Sequence, residues 1–300
     1  MKAVEVKNLT KSYKQKFKTV QALKGVSFEI KKGEICGFLG PNGAGKSTTL
    51  KIIMDFIKAD SGSVVINGIS SKDVRSRMHI GFMAENPSYI DSLTGKELLI
   101  FSATMHRIEK DKALKRADEL LDALDLKKSA NKKLRNYSKG MIQRIGFAAS
   151  LIIEPKILIL DEPMSGLDPI GRYKFKNMIR ETQHQGCSIF FSSHIISDIE
   201  DICDRVIIIN KGSIIKVVDE HMMKTFSLYG YDIIVSKNAQ LDGFKYESLK
   251  NGLKSIRIDK SRLEETIIKL KGNGIKIIAV EPIKKDLEKL FVEIVGQNES

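Results

Sequence analysis

Residues 40–47 read Gly40-Pro41-Asn42-Gly43-Ala44-Gly45-Lys46-Ser47, and this octapeptide constrains the chain more than any other part of it. It fits G-x-x-x-x-G-K-[ST], and its flanks fit as well. Glu34–Leu39 ahead of it is apolar and strand-like. Lys46–Ile57 behind it sets Leu50, Ile53, Met54 and Ile57 at the i, i+3, i+4, i+7 spacing of an amphipathic helix. Glycines let consecutive backbone N–H groups curl around a polyphosphate without side-chain clash. The helix start adds free N–H groups and the positive end of its dipole. Lys46 is then expected to reach the β- and γ-phosphates, Ser47 to ligate Mg²⁺ and Thr48 to donate to the α-phosphate. A glycine-rich turn with no phosphate role is the alternative, and the matching strand and helix argue against it.

A second element completes the site. The apolar run Ile157–Leu160 reads as a central strand covered on both faces, and it ends in Asp161-Glu162. Two carboxylates therefore stand at a strand's carboxyl end, where α/β sheets bind ligands. Asp161 suits Mg²⁺, and Glu162 suits the general base that polarises an attacking water.

Strand-like and helix-like segments alternate from Ala3 to about Asp219, which predicts an α/β core. Ser138–Ile153 reads as a further helix, and Ser188–Phe191 and Val206–Ile209 as buried strands. Beyond residue 220 the pattern changes. Tyr229–Val235 and the stretch around Ile256 and Ile258 alternate as strands do. Leu263, Ile267 and Leu270 mark a helix, Ile275–Val280 a strand, and Leu287, Leu290, Phe291 and Ile294 a final helix. The prediction is two domains, residues 1–219 and a small α+β accessory domain over 220–300.

Tyr137-Ser138-Lys139-Gly140-Met141 resembles the signature motif of ABC ATPases, and the likeness continues in order. Glu162-Pro163 follows the strand, Ser165-Gly166-Leu167-Asp168 resembles the D-loop, His194 in Ser-Ser-His resembles the switch histidine, and Tyr13 lies where the family keeps an adenine-stacking aromatic. The resemblance covers the whole first domain and implies a P-loop NTPase of the ABC ATPase type. It implies ATP and Mg²⁺ as ligands and a pair of such subunits, either a homodimer or a related heterodimer, closing head to tail over two ATP molecules. Each ATP would rest on one subunit's Gly40–Thr48 loop and be covered by the other's Ser138 and Gly140. His194 would contact the γ-phosphate, and Asp168 would link the two sites. It further implies a separate membrane-spanning permease subunit and a place on the cytoplasmic face of the membrane.

Two departures stand out. Lys139 and Met141 replace a glycine and a glutamine of the best-known signature. Glu85 replaces the glutamine of the Q-loop, keeping an oxygen for Mg²⁺ but adding negative charge. Both features, with the short C-terminal domain, resemble the drug, antibiotic and peptide exporter branch. An importer subunit with a regulatory C-terminal domain is the alternative.

Composition narrows the remaining classes. The chain is 42% hydrophobic and 29% charged, and no stretch approaches the roughly 18–20 consecutive apolar residues of a membrane helix. Its first residues lack the apolar core of a signal peptide. The net charge of +13 invites a nucleic-acid reading. The Lys-rich runs near Lys11–Lys18 and Lys127–Arg135 have no interleaved aromatic platforms, however, so no nucleic-acid partner is expected. Cys36, Cys187 and Cys203 match no metal or redox spacing and read as reduced core residues.

Overall fold

The first thirty residues alternate apolar and polar side chains, and they pair with each other rather than with a helix. In the computed structural model, which describes residues 1–15, 18–225, 230–241, 243–249, 252–283, 287 and 291, β1 (Lys2–Gln15) and β2 (Lys18–Lys31) run antiparallel. Val26, Phe28 and Ile30 of β2 are buried on one face, while Ser27 between them is exposed, the period of a half-covered strand. The chain then enters a different sheet through β3 (Ile35–Leu39) and turns into α1 (Lys46–Ile53). It returns through β4 (Ser61–Ile66) and β5 (Ile69–Ser70), giving a sheet of order β2-β1-β4-β5.

The remaining elements of the first unit are β6 (Ile80–Met83), α2 (Gly95–Met105), α3 (Lys110–Ala123), α4 (Lys139–Leu151), β7 (Ile157–Leu160), α5 (Pro169–His184), β8 (Ser188–Ser193), α6 (Ile196–Ile202), β9 (Arg205–Asn210) and β10 (Ser213–Val218). They build a second sheet of order β10-β9-β3-β8-β7-β6, parallel except for the β9–β10 pair. Every residue of β3, β7, β8 and β9 is buried, as the unbroken apolar runs predict for strands covered on both faces. Phe28 of the antiparallel sheet meets Phe38 and Phe190 of the parallel one at ring-centroid distances of 5.6 and 5.5 Å. One core therefore holds both sheets.

The helix after the phosphate loop stops sooner than its periodicity predicts. It ends at Ile53, and Asp55 turns the chain with φ of 56°. Ile57 packs against the core all the same, so the apolar spacing there is a packing signal beyond the helix.

Contacts divide the chain into two compact units, Met1–Val218 and Asp219–Ser300. The second contains α7 (Glu220–Thr225), β11 (Gly230–Val235), β12 (Glu247–Ser248), β13 (Lys254–Asp259), α8 (Leu263–Gly272) and β14 (Ile277–Ile283). Its antiparallel sheet has the order β12-β13-β11-β14, and Ile233, Val235, Ile256, Leu270 and Ile275 form its core. Tyr229 and most of the expected final helix lie outside the described residues. Among the described residues, no helix is long and apolar enough to cross a membrane.

Candidate functional site

Strand register gathers the predicted phosphate-binding and carboxylate residues. Leu39 at the end of β3 pairs with Ser193 of β8, and Leu160 at the end of β7 pairs with Phe191. Gly40–Ser47, Asp161-Glu162 and Ser192–His194 thus leave neighbouring parallel strands at the same edge. That edge, outside the carboxyl ends, is where such sheets bind ligands.

The loop needs its glycines for space. A Cβ on Gly40 would sit 2.3 Å from the carbonyl oxygen of Ile209, and Gly45, which precedes α1, has φ of 108° and lies against Ala22 and Leu23 of β2. Tyr13 pairs across the hairpin with Val20, three positions before Leu23, and is 39% exposed. Lys11 Nζ lies 5.7 Å from its ring centroid. The ring is therefore an open aromatic surface on the hairpin that borders the loop.

Lys46 is 6% exposed and has partners within its own chain. Its Nζ donates to the carbonyl oxygens of Gly40 (2.7 Å) and Pro41 (3.2 Å), and it stands 3.2 Å from Glu162 Oε1. That last contact has ion-pair distance without hydrogen-bond alignment, so Oε1 is a buried carboxylate oxygen with no hydrogen-bond donor. The other oxygen, Oε2, is 2.8 Å from His194 Nδ1. The Glu162 backbone adopts φ of 45°, a conformation that costs a non-glycine residue of order 1 kcal/mol or more and tends to collect at functional sites. Its amide donates to Ser192 Oγ at 2.9 Å.

Ser192 is the residue that sequence reasoning missed. Its hydroxyl donates to Asp161 Oδ1 at 2.6 Å while accepting from the Glu162 amide, so one buried serine fixes both carboxylates. It opens the Ser-Ser-His tripeptide, two residues before His194. Ser47 Oγ also donates to Asp161 Oδ1, at 3.2 Å. A hydroxyl and a carboxylate converging there are hard oxygen donors that fit Mg²⁺, an ion that usually keeps water and phosphate as its other ligands. Among the described residues no cluster of three His, Cys, Asp or Glu side chains could hold a metal alone, so any ion here needs those additional ligands.

The other predicted contacts lie elsewhere. Ser138 is the N-cap of α4, its Oγ accepting from the Met141 amide at 3.3 Å, and Asp168 is the N-cap of α5, its Oδ1 accepting from the Gly171 amide at 2.6 Å. Both are exposed at the surface. With Gly140 and Gly166 they border a separate cavity of about 520 Å³ that includes none of Lys46, Asp161, Glu162 or His194. Glu85 is exposed too, and its carbonyl oxygen accepts from Gln143 Nε2 at 2.8 Å, which fastens the segment after β6 to α4. Gln143 is 1% exposed and is a second residue the sequence reading passed over.

The segment after Glu85 divides between core and surface. Tyr89 and Ile90 read alike in sequence, yet the Tyr89 hydroxyl packs where Gly146 leaves room, 2.7 Å from a virtual Cβ, and burial raises that phenol to about 12. Ile90 is 56% exposed. Leu98 is core at 5%, whereas Phe101 is 49% exposed. The cysteines are buried, and burial pushes all three thiols up, Cys187 to about 12. Protonated thiols in apolar surroundings are inert.

With this geometry in place, comparison with known proteins is informative. The family described as ABC transporter matches residues 23–165. An uncharacterized ABC transporter ATP-binding protein of Synechocystis, sll0415, is 42% identical over 71% of this chain, and the match spans 61% of that relative's own length. The bacitracin transport ATP-binding protein BcrA of Bacillus licheniformis is 33% identical over 98% of this chain and 97% of its own. Among solved structures, the dimeric ATP-binding cassette MJ0796 in a post-hydrolysis state with ADP and Pi is similar at a TM-score of 0.67 and 29% identity. It covers 72% of this chain and 98% of the cassette.

Proposed function

The chain belongs to the ABC transporter ATP-binding proteins, and on that premise we propose that it hydrolyses ATP to power export of an antibiotic, drug or peptide through a separate permease. The observation that carries the chemistry is the Glu162 carboxylate, buried between Lys46 Nζ at 3.2 Å and His194 Nδ1 at 2.8 Å. The phosphate loop and Lys46 would bind the β- and γ-phosphates, Tyr13 would offer a ring to the adenine, and Asp161 with Ser47 would hold Mg²⁺. The ion's contribution is to neutralise phosphate charge. Glu162 takes the proton of the attacking water, and its left-handed backbone and the Ser192 bridge hold it in place for that transfer. His194 would contact the γ-phosphate and Asp168 would link the two sites, while Glu85, exposed after β6, would offer its carboxylate oxygen to the ion from outside this cluster.

Ser138, Gly140 and Asp168 border a cavity apart from this cluster, which supports assigning them to the ATP of a second subunit. The cassette MJ0796 is dimeric, and the same head-to-tail pairing is proposed here, as a homodimer or with a related subunit. Two closures over two ATP molecules then join nucleotide binding to assembly, since whatever binds only the closed state stabilises it. The unit beyond residue 219 is proposed as an accessory domain that tunes this pairing. The subunit works on the cytoplasmic face of the membrane, where its permease docks against the exposed side of the segment holding Ile90.

Reconstitution with the co-expressed permease in inside-out vesicles tests this reading. ATP-dependent accumulation of a peptide antibiotic is expected. Ile90→Glu should abolish accumulation while leaving basal hydrolysis intact. Transport that instead requires a solute-binding protein would contradict the exporter assignment.

A further inference from the structure

Lys139 stands at the one signature position where a side chain replaces the usual absence of one, and its surroundings give it a task. It is the first residue of α4, directly after the cap Ser138. Its side chain crosses Gly166: a virtual Cβ on that glycine would lie 2.9 Å from Lys139 Cε, 3.0 Å from Cδ and 3.4 Å from Cγ. Three successive methylenes within reach of one Cα mean that the stem lies flat along the loop. Gly166 has φ of 77°, so the loop is bent in a conformation that accepts no side chain easily, and the stem fills the space left over it. Gly140 approaches the same loop from below, its virtual Cβ 3.7 Å from both the Gly166 carbonyl oxygen and Leu167 Cδ2.

The three nearest atoms are all methylene carbons. Lys139 is exposed overall. It is a long side chain that covers apolar surface with its stem and leaves its charge in water. What the stem joins matters more than what it buries. On one side is the first turn of α4, carrying Ser138 and Gly140. On the other is the loop 165–168, ending in Asp168 at the cap of α5.

We infer that Lys139 is a positioning residue: its aliphatic stem clamps loop 165–168 to the first turn of α4, so that Ser138, Gly140 and Asp168 meet the second subunit's ATP as one rigid face. This deepens the two-subunit reading above and rests on it. Groups that must meet a phosphate together lose their effect when they move apart, and a misplacement of about 1 Å can cost on the order of 10²-fold in rate. A glycine at position 139 would remove this side-chain contact between the loop and the first turn of α4.

The test separates stem from charge in the full-length chain. Lys139→Ala removes both, and Lys139→Met keeps most of the stem without the charge. Three quantities are measured for each: steady-state hydrolysis with kcat and KM resolved, affinity for a fluorescent ATP analogue, and melting temperature. Lys139→Ala should lower kcat by about 10- to 100-fold with KM, analogue affinity and melting temperature unchanged, and Lys139→Met should restore kcat to near the parental value. Parental kcat in Lys139→Ala overturns the inference. So does a Met variant as impaired as the Ala variant, which would transfer the role to the ammonium. A loss in Lys139→Ala that tracks a fall in melting temperature also overturns it, since the stem would then hold the fold rather than the face. The two-subunit reading is tested separately by ATP-dependent dimerisation of Glu162→Gln, which leaves Lys139 in place.

Discussion

Lys46, Asp161 and Glu162 are 6%, 3% and 7% exposed, and each is held by partners from distant parts of the same chain. Ser138 and Asp168 lie at the surface, and each makes its hydrogen bond to an amide three residues on, capping its own helix. The contrast follows from where the elements sit. The first group grows from the carboxyl ends of fully buried parallel strands, so its geometry is fixed by the sheet. The second group crowns two helices, where local capping sets the backbone and leaves one side open. On the proposed function, the first group is folded ready for phosphate within one chain, while the second would become part of a nucleotide site only when another subunit is brought against it.

Removing Lys46 should break the buried half most severely. Lys46→Ala is expected to take hydrolysis to background. It should also lower stability, because the Gly40 and Pro41 carbonyls and the Glu162 carboxylate lose their cation. Unsatisfied buried groups cost about 1–3 kcal/mol, and each 1 kcal/mol shifts the melting temperature by roughly 2–4 °C in a unit of this size. Calorimetry checks this, and a melting curve identical to the parent's would contradict the structural role of these contacts. Hydrolysis at the parental rate would remove Lys46 from the site altogether.

Ser138→Ala should show the opposite division. Loss of the cap costs about 1 kcal/mol, and ATP affinity of the isolated chain should not change, because the residue contributes nothing to its own chain's phosphate loop. Turnover should still fall, by up to about 10²-fold, as when one preorganised donor to a transition-state oxyanion is removed. Weaker ATP binding by the isolated monomer would erase the distinction between the two halves.

The same contrast explains what was legible in the sequence. The phosphate loop, the Asp161-Glu162 strand end and the buried strands were readable because each is a local pattern with a fixed period or spacing. The Lys46–Glu162 contact and the Ser192 bridge join residues far apart in the chain, and no local pattern announces them. Tyr89 and Ile90 are adjacent large side chains, and no local pattern says that one fills the space over Gly146 while the other faces outward. The early end of α1 has a similar cause: Ile57 satisfies the helical spacing but reaches the core by a turn at Asp55.

The measurement that bears most directly on a site divided between two chains is size-exclusion chromatography of Glu162→Gln with and without Mg·ATP. The substitution keeps size and hydrogen-bonding capacity but removes basicity, so hydrolysis should fall by about 10²–10⁴-fold while the nucleotide stays bound. ATP held at the junction should then keep two subunits together, and the variant should elute as a dimer only when ATP is present, alone or with its related mate. A variant that binds ATP, fails to hydrolyse it and still elutes as a monomer with its mate present would contradict the shared site.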